Sequence, residues 1–249
     1  MSSPTIHPTG DFPEMSQHAD EPHASSLNSL LNRLRAAVLG ANDGIVSTAG
    51  IVMGVAGATS DRHTIFLAGM AGLVAGSLSM AQGEYVSVSS QRDTERALIA
   101  KETKELDDEP EEELAELADL YRQKGLSDDL ARQVALELTR KDALRAHLEV
   151  ELGIDQDDLV NPWHAAISSA IAFTVGALLP LIAILLPPPE WRVPVTFVAV
   201  LIALALTGTV SARLGGASKS RAAIRLVLGG ALALATTWLV GTLLGTTVI

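Results

Sequence analysis

Residues 36–60 read AAVLGANDGIVSTAGIVMGVAGATS, and Asp43 is the only ionisable side chain among these 25 residues. About 20 apolar residues in a helix are enough to cross the hydrocarbon core of a bilayer. A carboxylate at that depth costs roughly 2.5–3.5 kcal/mol on insertion scales, so it usually lines a polar path or binds a cation. The stretch therefore predicts a transmembrane helix with a functional acidic group. The alternative for Asp43 is a structural polar contact inside a helix bundle.

Four further segments are long and apolar, and Glu84 is the only charged residue within them. Together with the first segment they predict five transmembrane helices, at about 36–58, 64–88, 165–186, 193–212 and 226–249. Asn161 and Pro162 precede the third segment and form a good helix cap and first-turn pair. Pro180 lies within the third segment and predicts a kink there.

The charge of the chain is concentrated between the second and third segments. Residues 91–160 hold 21 acidic and 10 basic side chains, so they carry the whole formal net charge of −11, while the remainder holds 8 of each sign. We call residues 91–160 the insert. The sequence predicts an all-α membrane protein with a disordered cytosolic tail at 1–30, spans one and two at 31–90, the insert, and spans three to five at 161–249.

The distribution of basic residues predicts the orientation, because lysine and arginine are enriched in short cytosolic loops. Arg33 and Arg35 precede the first span, and four basic residues lie between 213 and 225. The N-terminus and the insert are therefore expected in the cytosol and the C-terminus outside. The absence of a recognisable signal peptide, and more Arg than Lys, favour a bacterial plasma membrane.

The insert reads as three helices. The second span continues through 91–105 without a helix breaker, Pro110 begins the next helix, and Gly125 ends it. Ser127 then caps a third helix, which is expected to run from Asp128 to about Leu152 and to end at Gly153.

Two constellations in this arrangement could bind a cation. Asp43 and Met80 are expected at a similar depth near the cytosolic edge, with Glu84 one helical turn after Met80. A carboxylate, a thioether and a second carboxylate would suit a borderline divalent cation such as Fe²⁺. The alternatives are that Met80 fills a packing gap and that Glu84 reaches the membrane surface.

The second constellation lies in the insert. Glu102 and Glu105 are three residues apart on one helix, and Glu113 and Glu116 repeat that spacing on the next. Their oxygens could converge on a hard or borderline cation, although an acidic run is more often a solvated face. His147 lies near the end of the third helix, with Glu151 one turn further on.

Several classes of function are disfavoured. The chain has no cysteine, which excludes disulfides and thiolate metal sites. Its acidity argues against nucleic-acid binding, which requires lysine and arginine against phosphate. No nucleophile–base set or phosphate-binding loop is recognisable, so the chain is not expected to be an enzyme. Glycine pairs four residues apart, such as Gly40 with Gly44 and Gly72 with Gly76, fit either packing within one bundle or a dimer interface.

The chain resembles the vacuolar iron transporter family over roughly residues 30–249. The resemblance is carried by RAAVLGANDGIVST at 35–48, by GSLSMAQGEYVSVSS at 76–90, by the glutamate-rich insert and by the ELG ending at 151–153. It implies a five-span homodimer that moves Fe²⁺, or Mn²⁺, out of the cytosol in exchange for protons, without a permanently bound cofactor. It further implies that Asp43 and Met80 line the path at the dimer interface, and that the insert binds metal through five glutamates, Glu102, Glu105, Glu113, Glu116 and Glu151.

The chain departs from the family pattern at two places. Plant-type members carry a methionine pair where this chain has His147 and Leu148, and an acidic residue where it has Gly72. An imidazole in place of a thioether keeps a ligand but changes the preference for metal. The prediction is a proton-coupled exporter in which Asp43, Met80 and Glu84 form the path and His147 joins the metal-binding glutamates. The alternative is a membrane metal sensor or scaffold that transports nothing.

Overall fold

A computed structural model describes residues 24–155 and 160–247, with side chains described within 36–155 and 160–245. In this part of the chain all regular elements are helices. They are α1 Ala24–Ala58, α2 Arg62–Asp108, α3 Pro110–Gln123, α4 Asp128–His147, a π-helical turn Leu148–Leu152, α5 Pro162–Leu185, α6 Pro189–Leu214 and α7 Lys219–Thr247.

Five of these helices, α1, α2, α5, α6 and α7, are long and apolar enough to cross a membrane. The predicted number of spans is therefore confirmed, and within the described residues each span lies inside one of these helices, except that the third extends one residue beyond α5, to Leu186. Helix α1 begins at Ala24, within the segment that was expected to be a tail, whereas residues 1–23 of that segment lie outside the described residues.

The predicted helix boundaries follow from caps that the structure contains. The Asn161 side chain accepts a hydrogen bond from the Trp163 amide and Pro162 occupies the first turn of α5. Pro110 occupies the first turn of α3. Gly125 and Gly153 adopt positive φ values of 102° and 64°, which a residue with a side chain rarely adopts, and they end α3 and the π-helical turn.

The second span and the first helix of the insert form one continuous helix of 47 residues. At about 1.5 Å per residue its length is roughly 70 Å, against about 30 Å for the hydrocarbon core of a bilayer. More than half of the length of α2 is therefore in excess of what the hydrocarbon core requires, and its charged residues lie from Glu84 onward, apart from Arg62 at the first position of the helix.

The last helix of the insert is not the single helix that the sequence predicts. Asp142 has φ −168° and ψ 93°, which breaks α4 inside its length, and the Asp142 side chain accepts a hydrogen bond from the Arg145 amide. The chain then continues as the π-helical turn before Gly153. The Asp142 carboxylate thus acts as a cap for a new turn, which is the usual reason that aspartate competes with helix propagation.

Glycines allow α1 and α5 to pack at close range in the membrane bundle. A Cβ atom at Gly44 would lie 2.9 Å from the carbonyl carbon of Phe173 and 3.0 Å from the amide nitrogen of Ala177. The buried core around this crossing includes Ile45, Val52, Phe173 and Leu181. Close backbone approach of this kind is how membrane helices gain packing energy without a hydrophobic driving force. Helix α5 continues through Pro180.

Arginines hold the loops at the end of the bundle opposite the insert. Arg192, in the first turn of α6, is buried and donates hydrogen bonds to the carbonyl oxygens of Ser60, at 2.9 Å, and Pro187, at 3.4 Å. Arg62 donates to the Leu185 carbonyl. The α1–α2 loop and the α5–α6 loop are thereby tied to each other.

Candidate metal-binding sites

The packing of α1 against α2 sets the relative depth of Asp43 and Met80. A Cβ atom at Gly72 would meet Ile51 Cδ1 at 2.5 Å, so these two residues face each other across the antiparallel pair. Asp43 lies eight residues before Ile51, and Met80 lies eight residues after Gly72. Both are therefore about 12 Å further along their helices in the same direction. The two residues share a depth, as the sequence predicts, while their role in a path stays a prediction.

The surroundings of Asp43 and Met80 are partly polar. Asp43 and Met80 are half-buried, and the Ser47 hydroxyl donates to the Asp43 carbonyl oxygen at 2.5 Å. Glu84, one turn beyond Met80, is also half-buried and adjoins Tyr85, whose ring lies 4.8 Å from that of Trp163. A tyrosine–tryptophan pair is typical of the membrane surface, which places Glu84 close to that boundary.

Hydroxyl groups at the α2–α5 contact are a feature that the charged residues of the sequence do not indicate. Thr174 Oγ1 donates to the Ala170 carbonyl oxygen at 2.8 Å and to Ser77 Oγ at 3.2 Å. Thr48 Oγ1 and Ser169 Oγ are buried and have no hydrogen-bond partner within the described residues. The available signal was the serine and threonine content of the uncharged spans, since such hydroxyls need partners inside a bundle.

In the insert, three predicted glutamate ligands lie around one nitrogen of the fourth predicted ligand, His147. His147 Nδ1 lies 2.9 Å from an oxygen of Glu102, 3.5 Å from one of Glu113 and 3.6 Å from one of Glu151. These side chains come from α2, α3, the end of α4 and the π-helical turn. A small apolar core of Leu117, Ala135 and Ala146 packs α3 against α4.

The atoms of this cluster approach one another without forming hydrogen bonds. His147 and Glu102 have side chains that are 0% and 4% exposed. Although His147 Nδ1 and Glu102 Oε1 are within hydrogen-bonding distance, neither has a partner of acceptable angle in the described chain. Two ligand atoms about 2.1 Å from one metal ion, at angles of 90–110°, are about 3.0–3.4 Å apart. The separations from His147 Nδ1, which are 2.9, 3.5 and 3.6 Å, lie close to that range, so small shifts would let these ligands share one ion.

Burial and mutual repulsion change the acidity of the two most buried glutamates. Burial raises the pKa of Glu102, and the nearby charges of Glu151, Glu113 and Glu105 raise it further, while His147 lowers it. Burial also raises the pKa of Glu113, against the lowering effect of His147. Concentrated negative charge with poor solvation is unfavourable without a cation, so the arrangement suits a divalent ion.

Two predicted ligands stay at the edge of the cluster. Glu105 is about one-third exposed and pairs with Lys101 at 2.7 Å, and Glu116 is exposed. Their charges still reach the centre, because Glu105 raises the pKa of both Glu102 and Glu113, and Glu116 raises that of Glu113. In this conformation, the structure therefore brings together Glu102, Glu113, His147 and Glu151 and leaves Glu105 and Glu116 outside the first contacts.

Comparison with known proteins assigns a family to this fold. A model of the VIT family matches residues 34–242. The chain is 43% identical over 222 residues to a vacuolar iron transporter of Acanthamoeba castellanii, covering 89% of this chain and 82% of that protein. It is 37% identical over 206 residues to vacuolar iron transporter homolog 2.1 of Arabidopsis thaliana, with 82% and 78% covered. It is 32% identical over 241 residues to vacuolar iron transporter homolog 1 of the same plant, with 96% and 97% covered.

These relatives are transporters by name rather than enzymes, and the resemblance stated from the sequence is confirmed. Since the family match extends over most of the chain, from the first span to the last, this protein belongs to the VIT family.

Proposed function

We propose that this protein exports divalent iron, Fe²⁺, from the cytosol in exchange for protons, with Mn²⁺ as the alternative cargo. The observation that carries the proposal is the convergence of Glu102, Glu113 and Glu151 on His147 Nδ1 without hydrogen bonds between them. Buried charges of this kind are stable only when they are paired or bind a cation. The names of the relatives, which are iron transporters and their homologs, supply the class of cargo.

The cation route follows α2, which carries groups of both sites. Glu102 is 18 residues from Glu84, a distance of about 27 Å along the helix, and Met80 is about 6 Å further. In this proposal the insert lies in the cytosol and captures the ion. The ion then passes Glu84 and reaches the level of Met80 and Asp43 in the membrane. No permanently bound cofactor is needed for such a route.

Proton exchange gives this route a direction. A carboxyl group must lose its proton before it binds a metal ion, so protonation and metal binding compete at the same oxygens. Protons that enter from the outer side would protonate Asp43, release the ion outward and reset the path. The membrane proposed is a bacterial plasma membrane, with the N-terminus and the insert inside and the C-terminus outside.

A homodimer would cover the polar face of α2 within the membrane. Ser79, Gln82 and Gly83 are exposed there beside the apolar Leu78 and Val86. A glutamine side chain is costly against lipid, so a second copy of this chain is the proposed partner for the face. Because the chain contains no cysteine, Gln82→Cys supplies a single thiol, and oxidation in membranes should yield a cross-linked dimer. The matched variant Leu228→Cys, on the exposed side of α7, should stay monomeric.

Transport is tested with the full chain in liposomes that contain a metal-sensitive dye. An imposed pH gradient should drive Fe²⁺ across the membrane, and Asp43→Ala should abolish the flux. The control Glu190→Gln changes an exposed carboxylate at the start of α6 and should leave flux unchanged. Thermal unfolding of each variant in detergent checks that the fold is intact.

The outcome also separates transport from the sensor or scaffold alternative. A sensor would bind metal but would move none across the membrane under any pH gradient. Undiminished flux in a folded Asp43→Ala variant would exclude Asp43 from the path.

A further inference from the structure

We propose that His147 determines which divalent cation the insert holds, by adding one nitrogen ligand, Nδ1, to a set of carboxylate oxygens. The inference rests on the proposed function and concerns the metal preference of the capture site. The cations favoured are borderline ones, namely Fe²⁺, Co²⁺ and Zn²⁺, over the harder Mn²⁺ and Ca²⁺.

The position of the imidazole is the first argument. His147 is completely buried, and neither Nδ1 nor Nε2 has a hydrogen-bond partner within the described residues. Buried polar atoms are almost always paired, so two unpaired nitrogens on one ring require an explanation. An Nδ1 atom that lies 2.9–3.6 Å from oxygens of three carboxylates and makes no hydrogen bond is explained by a cation bound among them.

A cavity beside His147 provides for the remaining ring proton. When Nδ1 binds a metal ion the proton resides on Nε2, and ligating histidines normally donate that proton to an acceptor. His147 borders a cavity of about 290 Å³ that Asp107, Thr139 and Leu144 also line. Thr139 Oγ1 is buried and unpaired among the described residues. The cavity has room and polar lining for solvent that accepts the Nε2 proton.

The chemistry of the ligand set gives the preference. Carboxylates alone favour hard cations such as Ca²⁺ and Mn²⁺, whereas imidazole adds affinity for Fe²⁺, Co²⁺ and Zn²⁺. Leu148, the next residue, is buried in the apolar interior and offers no ligand atom. His147 is therefore the residue that separates this set from an all-oxygen site.

A competing explanation is an ion pair between an imidazolium and the glutamates. Such a pair would place the Nδ1–H bond along the line to a carboxylate oxygen. The 2.9 Å approach to Glu102 lacks that alignment. In an ion pair His147 would also compete with the cation, so its replacement would strengthen metal binding instead of weakening it.

The test measures the affinities of CoCl₂ and MnCl₂ for the full-length protein in detergent by calorimetry. His147→Gln and His147→Leu should weaken Co²⁺ binding by about tenfold or more while Mn²⁺ binding changes far less, so the ratio of the two affinities falls by about tenfold. The matched control His164→Gln replaces an exposed histidine and should keep the ratio. An unchanged ratio, or tighter binding, in the His147 variants overturns the inference.

A second measurement needs no variant at position 147. Wild-type protein loaded with Co²⁺ should show a paramagnetically shifted imidazole N–H resonance, and His164→Gln should retain it. Absence of that resonance in Co²⁺-loaded wild type also overturns the inference.

The triple variant Glu102→Gln, Glu113→Gln, Glu151→Gln separates the two proposals. If it abolishes Co²⁺ binding while the His147 variants keep the wild-type ratio, the capture site stands and only the role of His147 fails. If it leaves binding intact, the capture site proposed for the transporter fails as well.

Discussion

Metal binding to the insert should weaken steeply on acidification. Glu102 and Glu113 must both be deprotonated to bind a cation, and burial raises the pKa of each. Protonation therefore competes with metal at a higher pH than it would at exposed glutamates. Below the raised pKa values, the logarithm of the dissociation constant should increase by up to about one per pH unit for each such carboxyl, or roughly 100-fold per pH unit for two.

The assay is Mn²⁺ binding to the full chain in detergent, measured by calorimetry between pH 5 and 8. Buffers with different ionisation enthalpies report the number of protons released on binding. Wild type should release more protons at the acidic end than at pH 8, because a larger fraction of the two carboxyls is protonated at lower pH. Glu102→Gln and Glu113→Gln should each reduce that release by about one proton, whereas Glu137→Gln, an exposed glutamate on α4, should leave it unchanged.

The reasoning would be refuted if proton release were independent of pH across this range, or if the Glu102 and Glu113 variants released as many protons as wild type. Either result would mean that these carboxyls are ionised in the metal-free protein across this pH range, as solvated surface glutamates largely are.

Two further predictions concern the stability of the metal-free fold. Because the pKa of Glu102 is raised on folding, its ionised form opposes folding, and its contribution improves as the pH falls through that raised value. Glu102→Gln should accordingly raise the melting temperature without metal at pH 7.5 and lose that advantage below about pH 4.5, the ordinary glutamate range; a lower melting temperature at pH 7.5 would contradict it. Gly44→Ala should destabilise the bundle by about 1–3 kcal/mol, because the added methyl would press on the α5 backbone. The control Gly229→Ala meets nothing within 4 Å and should gain roughly 0.5–1 kcal/mol in helix α7, so equal melting temperatures for the two variants would count against the α1–α5 packing.

The architecture could be predicted largely from local signals. Long apolar runs indicate spans because about 20 apolar residues in a helix are the length that crosses the hydrocarbon core. Asn161 and Pro110 mark helix starts, and Gly125 and Gly153 mark helix ends, because each acts through its own backbone or side chain. The break at Asp142 could not be predicted in the same way, since aspartate is common inside helices and only its capping bond to the Arg145 amide shows the new turn.

The candidate metal site was predictable in its residue types but less so in its geometry. The three-residue spacing placed Glu102 with Glu105 and Glu113 with Glu116 on shared faces, yet in this structure only the first of each pair is buried against His147. Spacing fixes which face of a helix a residue occupies, whereas burial depends on how three helices pack. The burial of His147 and of Arg192 likewise depends on tertiary contacts between segments far apart in sequence.

The uninterrupted course of α2 has a mechanical consequence. A helix without a proline or a break between Met80 and Glu102 behaves as a stiff rod about 33 Å long over that interval. A tilt of about 5° at the membrane end would move the far end by roughly 3 Å, enough to separate ligands that sit on α2 from those on α3 and α4. If the insert binds metal as proposed, metal binding there and the tilt of the second span should therefore change together, because α2 has no break between the two regions.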